Sequence, residues 1–156
     1  MKQKVLFVCL GNICRSPLAE GLFNHMVEEM DLEEQLYAES AGTAGYHIGS
    51  RPDVRTLDVA SQNGVEIESR AQKLTKEHFA EFDVLVAMDE RNYNDILEIM
   101  PKHSSCKVFK MRQFDAQHPN TDVPDPYYGD LSDFEDLFQI LVGCMPKFIA
   151  SLNSKD

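Results

Sequence analysis

The first long apolar run in the chain is Val5, Leu6, Phe7 and Val8, unbroken by any polar residue. Such a run suits a parallel strand covered on both faces, and it places a strand over 4–9. Three further short apolar segments read as strands, over 36–40, 83–88 and 106–110. Between most of them the spacing becomes helical. From 17 to 30 the apolar residues fall at Leu18, Leu22, Phe23, Met26, Val27 and Met30, one stripe of a helix. Segments 52–62 and 89–100 read as further helices, the latter with Asp89 as N-cap directly after a strand. A last helix is expected to open at Ser132-Asp133-Phe134-Glu135, which has the capping-box form. Its stripe is Phe134, Leu137, Phe138, Leu141, Val142, Met145, Phe148 and Ile149. Gly143 and Pro146 fall within that stripe, so a kink or an early end is expected there.

Strands alternating with helices imply an α/β fold, a doubly wound four-stranded parallel sheet with helices on both faces. No repeat, low-complexity tract or linker interrupts the pattern, so one domain over 1–156 is expected. Such sheets bind ligands beyond the carboxyl ends of their strands, near the point where strand order reverses. The loop after the first strand is therefore the first place to look for chemistry.

Composition narrows the classes. A chain of 156 residues, 43% apolar and 26% charged, is ordinary for a globular protein with one core. No apolar stretch approaches the roughly 20 residues that span a bilayer, so membrane insertion is not expected. The apolar run at 5–10 is too short for a secretion signal and is soon followed by Arg15 and Glu20, which makes a cytoplasmic location the expectation. The formal charge of −11 argues against nucleic acid as a partner. It says less about small anions, because surface charge is screened over about 8 Å at physiological salt. Cys9, Cys14, Cys106 and Cys144 read as reduced thiols. The Cys9-x4-Cys14 spacing has no second close pair and no nearby histidine, so neither a metal site nor a cofactor is expected.

The loop itself reads Cys9-Leu10-Gly11-Asn12-Ile13-Cys14-Arg15-Ser16-Pro17 and opens a helix. A cysteine six positions before an arginine is a weak pattern alone, since Cys106 and Arg112 share it. That second pair encloses no glycine, looks like a strand, and is followed by Gln113 with no hydroxyl; it reads as chance. In the first loop Gly11 and Asn12 tolerate positive φ, which lets successive amides curl inward as an anion nest. Pro17 suits the first helical position and Ser16 the N-cap. A helix N-terminus favours negative charge, and cysteines in such places have thiol pKa values lowered from about 8.5 into the range of about 3.5–7.5. Arg15 adds a planar fork that can bind two phosphate oxygens.

From Val8 to Pro17 the chain resembles the signature of the low-molecular-weight protein tyrosine phosphatases, and Asp125-Pro126-Tyr127-Tyr128-Gly129 resembles their acid loop. Ser40-Ala41-Gly42-Thr43, Leu74-Thr75-Lys76 and Met88-Asp89-Glu90 are also similar, so the resemblance covers nearly the whole chain. It implies a four-stranded parallel sheet and hydrolysis of phosphotyrosine in proteins without a metal. Cys9 would attack phosphorus to give a cysteinyl-phosphate, and the amides of Leu10, Gly11, Asn12, Ile13 and Cys14, with Arg15, would hold the phosphate. Ser16 would donate to the thiolate, and Asp125 would serve first as acid and then as base. Tyr46 and Tyr127 would flank the substrate, while Asn12 and Ser40 would hold the loop in its strained form. Cys14 resembles a second thiol that can pair reversibly with Cys9. Tyrosine-phosphorylated proteins, and a tyrosine kinase with its targets, are the implied partners. Phosphorylation of Tyr127 or Tyr128 is a further implication. One departure stands out: Ser69-Arg70-Ala71-Gln72 lies where relatives often carry a histidine and a second basic residue. How the loop is braced is therefore open at this point.

Other functions fit less well. Relatives that reduce arsenate need further cysteines near the third strand, and residues 71–100 contain none. Relatives that act on phosphoarginine carry a small hydroxyl residue where this chain has Ile13, whose bulk favours a flat phenyl ring. An inactive phosphotyrosine-binding module should have lost Cys9 or Asp125, and both are present.

Overall fold

The Val5–Val8 run lies at the centre of the molecule. A computed structural model of the chain describes residues 2–153. Strand β1 (Gln3–Cys9) is flanked by β2 (Leu36–Gly42) and β3 (Val84–Ala87), and β4 (Lys107–Lys110) pairs with β3. All pairings are parallel, as the strand and helix pattern predicts, and the order is β2-β1-β3-β4. With neighbours on both edges and helices on both faces, β1 has Val5, Leu6, Phe7, Val8 and Cys9 all buried. This is why its sequence is continuously apolar rather than alternating.

Val5 and Phe7 face one core, shared with helices α1 (Arg15–Glu29), α2 (Val54–Gln62) and α5 (Leu131–Asn153). Leu6 and Val8 face the other, with the short α3 (His78–Glu81) and α4 (Glu90–Ile99). In the larger core Phe148 stands between Phe7 and Phe23, with ring centroids at 5.9 Å from each, and Phe114 at 5.0 Å. Asp89 caps α4 as expected, its side chain accepting from the Asn92 amide.

The last helix departs from expectation in three ways. It opens two residues early: Asp130 accepts from the Ser132 amide, and the Asp133 carboxylate accepts from the Asp130 amide. The capping box is therefore Asp130 with Asp133, and Ser132 lies inside the helix. Asp is as good an N-cap as Ser, so the earlier of two adequate caps is used. The helix also runs through Gly143 and Pro146 to Asn153. Pro146 removes the bond to the Val142 carbonyl, but both residues are exposed, so water can solvate that carbonyl. The inner stripe meanwhile packs continuously on the sheet. Finally Val142 is outside this stripe and Cys144 is within it, fully buried.

Phe148→Ala should cost about 3–5 kcal/mol, because the cavity it leaves would be walled by rings of β1, α1 and the turn before the acid segment. Urea unfolding of parent and variant measures this; a loss below about 1 kcal/mol would show that the aromatic cluster collapses around the gap.

Candidate active site

β1 and β3 are neighbours whose following connections diverge, since β1 leads to β2 on one side and β3 to β4 on the other. The crevice at their carboxyl ends receives residues 10–14 from β1 and Asp89 from β3. Here the chain turns its peptide groups outward. The carbonyls of Cys9 and Leu10 accept from the amides of Thr43 and Ala44 at 2.9 and 3.0 Å. The Ile13 carbonyl accepts from the Asp53 amide at 2.8 Å, and the Cys14 carbonyl from the Thr56 hydroxyl at 3.4 Å. In a planar trans peptide the next N–H points the opposite way, so those of Leu10, Gly11, Cys14 and Arg15 face the concave side. The result is an anion nest at the start of α1.

Asn12 holds this shape. Its backbone is left-handed at φ 58°, which asparagine tolerates. Gly11 is not left-handed; what it supplies is space, because a Cβ there would lie 3.2 Å from the His47 ring. The Asn12 amide nitrogen donates to Ser16 at 2.7 Å and to Ser40 at 2.9 Å, while its oxygen accepts from the Gln72 amide at 2.9 Å. Gln72 also donates from its side chain to the Ser40 carbonyl at 2.9 Å. His78 in turn holds Gln72: its Nδ1 accepts from the Thr75 amide at 2.9 Å, which leaves Nε2–H to face Gln72 Oε1 at 3.2 Å. The departure noted in the sequence is thus met by a brace of Gln72 and His78.

Ser16 is not the N-cap: α1 begins at Arg15, with Cys14 before it and no side-chain cap. Pro17 is accordingly the third helical residue, still among those whose N–H would have no intrahelical acceptor. The Ser16 hydroxyl is otherwise engaged. It accepts from Asn12, and its proton is left for Cys9 Sγ at 3.0 Å. The two thiols of the loop differ. Burial, aided by the carboxylate of Asp53, pushes Cys14 up to about 12, so it remains a thiol at physiological pH. Cys9 alone has a hydroxyl donor. All four cysteines are free, and Cys106 is tied to the carbonyls of Phe79 and Phe82 well away from this loop.

Arg15 is 3% exposed, and its guanidinium is fixed by Asp89 at 2.7 Å and the Val123 carbonyl at 3.0 Å. Burial works against its charge, but Cys9, Asp89 and Asp125 outweigh that and hold it protonated more firmly than usual. Asp89 is the partner that sequence reading left as a cap; its place directly after β3, beside β1, was the available signal. Asp125 stands half-exposed, 3.7 Å from the other arm of the Arg15 fork, and accepts from the Tyr127 amide at 3.1 Å. Its segment is stapled by Arg55, which is paired with Asp53, donates to the carbonyls of Tyr127 and Gly129, and lies over the Phe134 ring at 4.3 Å.

These parts enclose a cavity of about 300 Å³. Cys9, Leu10, Gly11, Ile13, Cys14, Arg15, Asp125, Tyr46 and Tyr127 all line it, together with His47 and Tyr128. Asn12 and Ser16 stand behind the wall and hold it. A larger cleft of about 680 Å³, between α1 and the edge of β2, is lined by carboxylates and by no cysteine or arginine. The two are separated by Glu20, which is 9% exposed and accepts from the Ser40 hydroxyl at 2.6 Å. Burial pushes the Glu20 carboxyl up to about 7 against the opposing pull of the Ser40 and Ser69 hydroxyls.

Because the folded chain holds the Glu20 proton more tightly than the unfolded chain, its contribution is fully present below the ordinary value of 4.5 and is lost as pH rises towards about 7. Glu20→Gln should therefore gain on the parent between pH 5 and pH 8, by on the order of 3 kcal/mol. Urea unfolding at both pH values reads the difference; an equal effect at both would disprove the assignment.

Comparison with known proteins adds the following. The family model described as low molecular weight phosphotyrosine protein phosphatase matches residues 4–156. The low molecular weight phosphotyrosine protein phosphatase of Schizosaccharomyces pombe is 41% identical over 150 residues, covering 96% of this chain and 96% of the relative. The human protein of the same description is 40% identical over 149 residues, covering 94% of each. Among solved structures, a protein tyrosine phosphatase from Entamoeba histolytica with Hepes in its active site superposes with a TM-score of 0.93 at 38% identity, covering 97% of each chain.

Proposed function

The chain belongs to the low molecular weight phosphotyrosine protein phosphatase family and is a protein tyrosine phosphatase; from that premise we propose that it hydrolyses phosphotyrosine through a phosphorylated Cys9. The observation that carries this is the pairing of Cys9 Sγ with Ser16 Oγ at 3.0 Å, on the wall of a pocket that also presents Arg15 and Asp125. The other loop thiol, Cys14, is held protonated by burial.

In the first step the Cys9 thiolate attacks phosphorus in line with the phenolic oxygen. The S–P bond forms as the P–O bond breaks, and protonated Asp125 gives its proton to the departing phenolate. In the second step the Asp125 carboxylate takes a proton from water, whose oxygen attacks phosphorus. The P–S bond breaks, inorganic phosphate forms and the thiolate returns. Phosphoryl transfer depends chiefly on positioning and charge stabilisation. The inward amides and the fixed Arg15 fork supply that to the equatorial oxygens, which is why no metal ion is invoked. The Ser16 hydroxyl stabilises the thiolate both before attack and as it leaves. Tyr46 and Tyr127 flank the phenyl ring, and Ile13 narrows the slot beside it. The chain acts as one catalytic domain on tyrosine-phosphorylated proteins in the cytoplasm, which places a tyrosine kinase and its targets among its partners.

The test is phosphate release from a phosphotyrosyl peptide at about pH 6 with chelator present. Wild type should turn over, Cys9→Ser should not, and Asp125→Ala should fall by about 10²–10⁴-fold. Under single-turnover conditions, acid quench should trap phosphate on Cys9. Dependence of wild-type activity on added divalent metal, or full activity of Cys9→Ser, would overturn the mechanism. Arg15→Lys, which keeps the charge and loses the fork, should lower kcat by about 10²–10³-fold.

A further inference from the structure

His47 lines the pocket without a part in the reaction just proposed. It lies on the loop after β2 and meets the Cys9 loop through ring carbon Cδ2, 3.2 Å from where a Gly11 Cβ would stand. Tyr46 packs edge-on beside it, with centroids 6.4 Å apart. Two other histidines are tied down, His78 by Thr75 and Gln72 and His25 by Glu29. The His47 ring nitrogens have no such partner among the described residues.

Most of the cations nearby are engaged, and none of the rest lines this pocket. Arg15 is buried against Asp89 and Asp125, and Arg55 is held by Asp53 and two carbonyls. Arg51 donates to the carbonyls of Ser69 and Ile67, and Arg70 to that of Gly49. Lys73 packs its stem on Gly45 and lines a separate cleft. Among the pocket residues only His47 can therefore offer an uncommitted positive charge, and the one carboxylate there is Asp125. The chain as a whole has a formal charge of −11. Without His47, an acidic substrate flank would find no uncommitted cation among the residues that line the pocket.

We propose that His47 is a specificity-determining residue whose protonated ring pairs with the carboxylate of an acidic residue next to the phosphotyrosine. The proposal rests on the phosphatase reading above. With the phosphate held at Cys9, the neighbouring peptide residues lie at the pocket mouth, where this ring stands. The amides and Arg15 already serve the phosphate, so the imidazole is left for the flank.

The experiment compares kcat/KM at about pH 6 for paired phosphotyrosyl peptides that differ only by Glu or Gln beside the phosphotyrosine. Wild type should favour the Glu peptide by about two- to fivefold, the size of an exposed ion pair, with the difference in KM. His47→Gln should abolish or reverse the preference and His47→Lys should restore it, which a merely structural role would not do. Turnover of both peptides with equal kcat/KM, or a preference that survives in His47→Gln, overturns the role of His47 alone. No turnover of either peptide by wild type overturns the phosphatase mechanism as well.

Discussion

A run of backbone N–H groups with no acceptor among the described residues is the constraint around which this molecule is arranged. An unpaired buried amide costs about 1–3 kcal/mol, and the loop after β1 gathers several on one side. It would relax into an ordinary turn unless something outside it fixed each peptide plane. Thr43, Ala44, Asp53 and Thr56 do so by engaging the opposite carbonyls. Those residues lie just after β2 and at the start of α2, so the sheet and both connections are needed to hold one short loop open.

The side chains behind the loop complete the restraint and set proton order. Asn12 donates to both serines, which leaves the Ser40 proton for Glu20 and the Ser16 proton free to serve Cys9. Reactivity at the sulfur is thus connected to a buried carboxyl on the far side of α1. On the other flank, Asp89 and the Val123 carbonyl fix Arg15, and Arg15 lies close to Asp125. Nucleophile, cation and acid come from three segments far apart in sequence, aligned because β1 and β3 are neighbours with diverging connections.

Much of this was legible in the sequence because it is local. The apolar run of β1, the left-handed tolerance of Asn12 and the Asp89 cap each depend on a few adjacent residues. What was hidden was contact across the chain. Gln72 braces Asn12 over 60 positions, and no short motif announces it. Asp89 was recognised as a cap but not as the partner of Arg15, because one of its oxygens serves each role. Ser16 was read as a cap and lies two positions too deep, since a helix can begin at Arg15 without a side-chain cap. Pro146 was read as a stop, but its lost bond lies on the solvent side, and burial of Met145, Phe148 and Ile149 carries the helix through.

The concave face of the loop is made of main chain, while its side chains point elsewhere. The side chains of Leu10, Ile13, Tyr46 and His47 shape the pocket, whereas the nest is defined by backbone N–H groups. Their identities can drift under selection for new partners while the anion seat persists, because any residue able to adopt the local backbone still presents an N–H. The architecture thus separates an inherited chemical capacity from an adaptable taste in substrates, and a lineage can revise the second without risking the first.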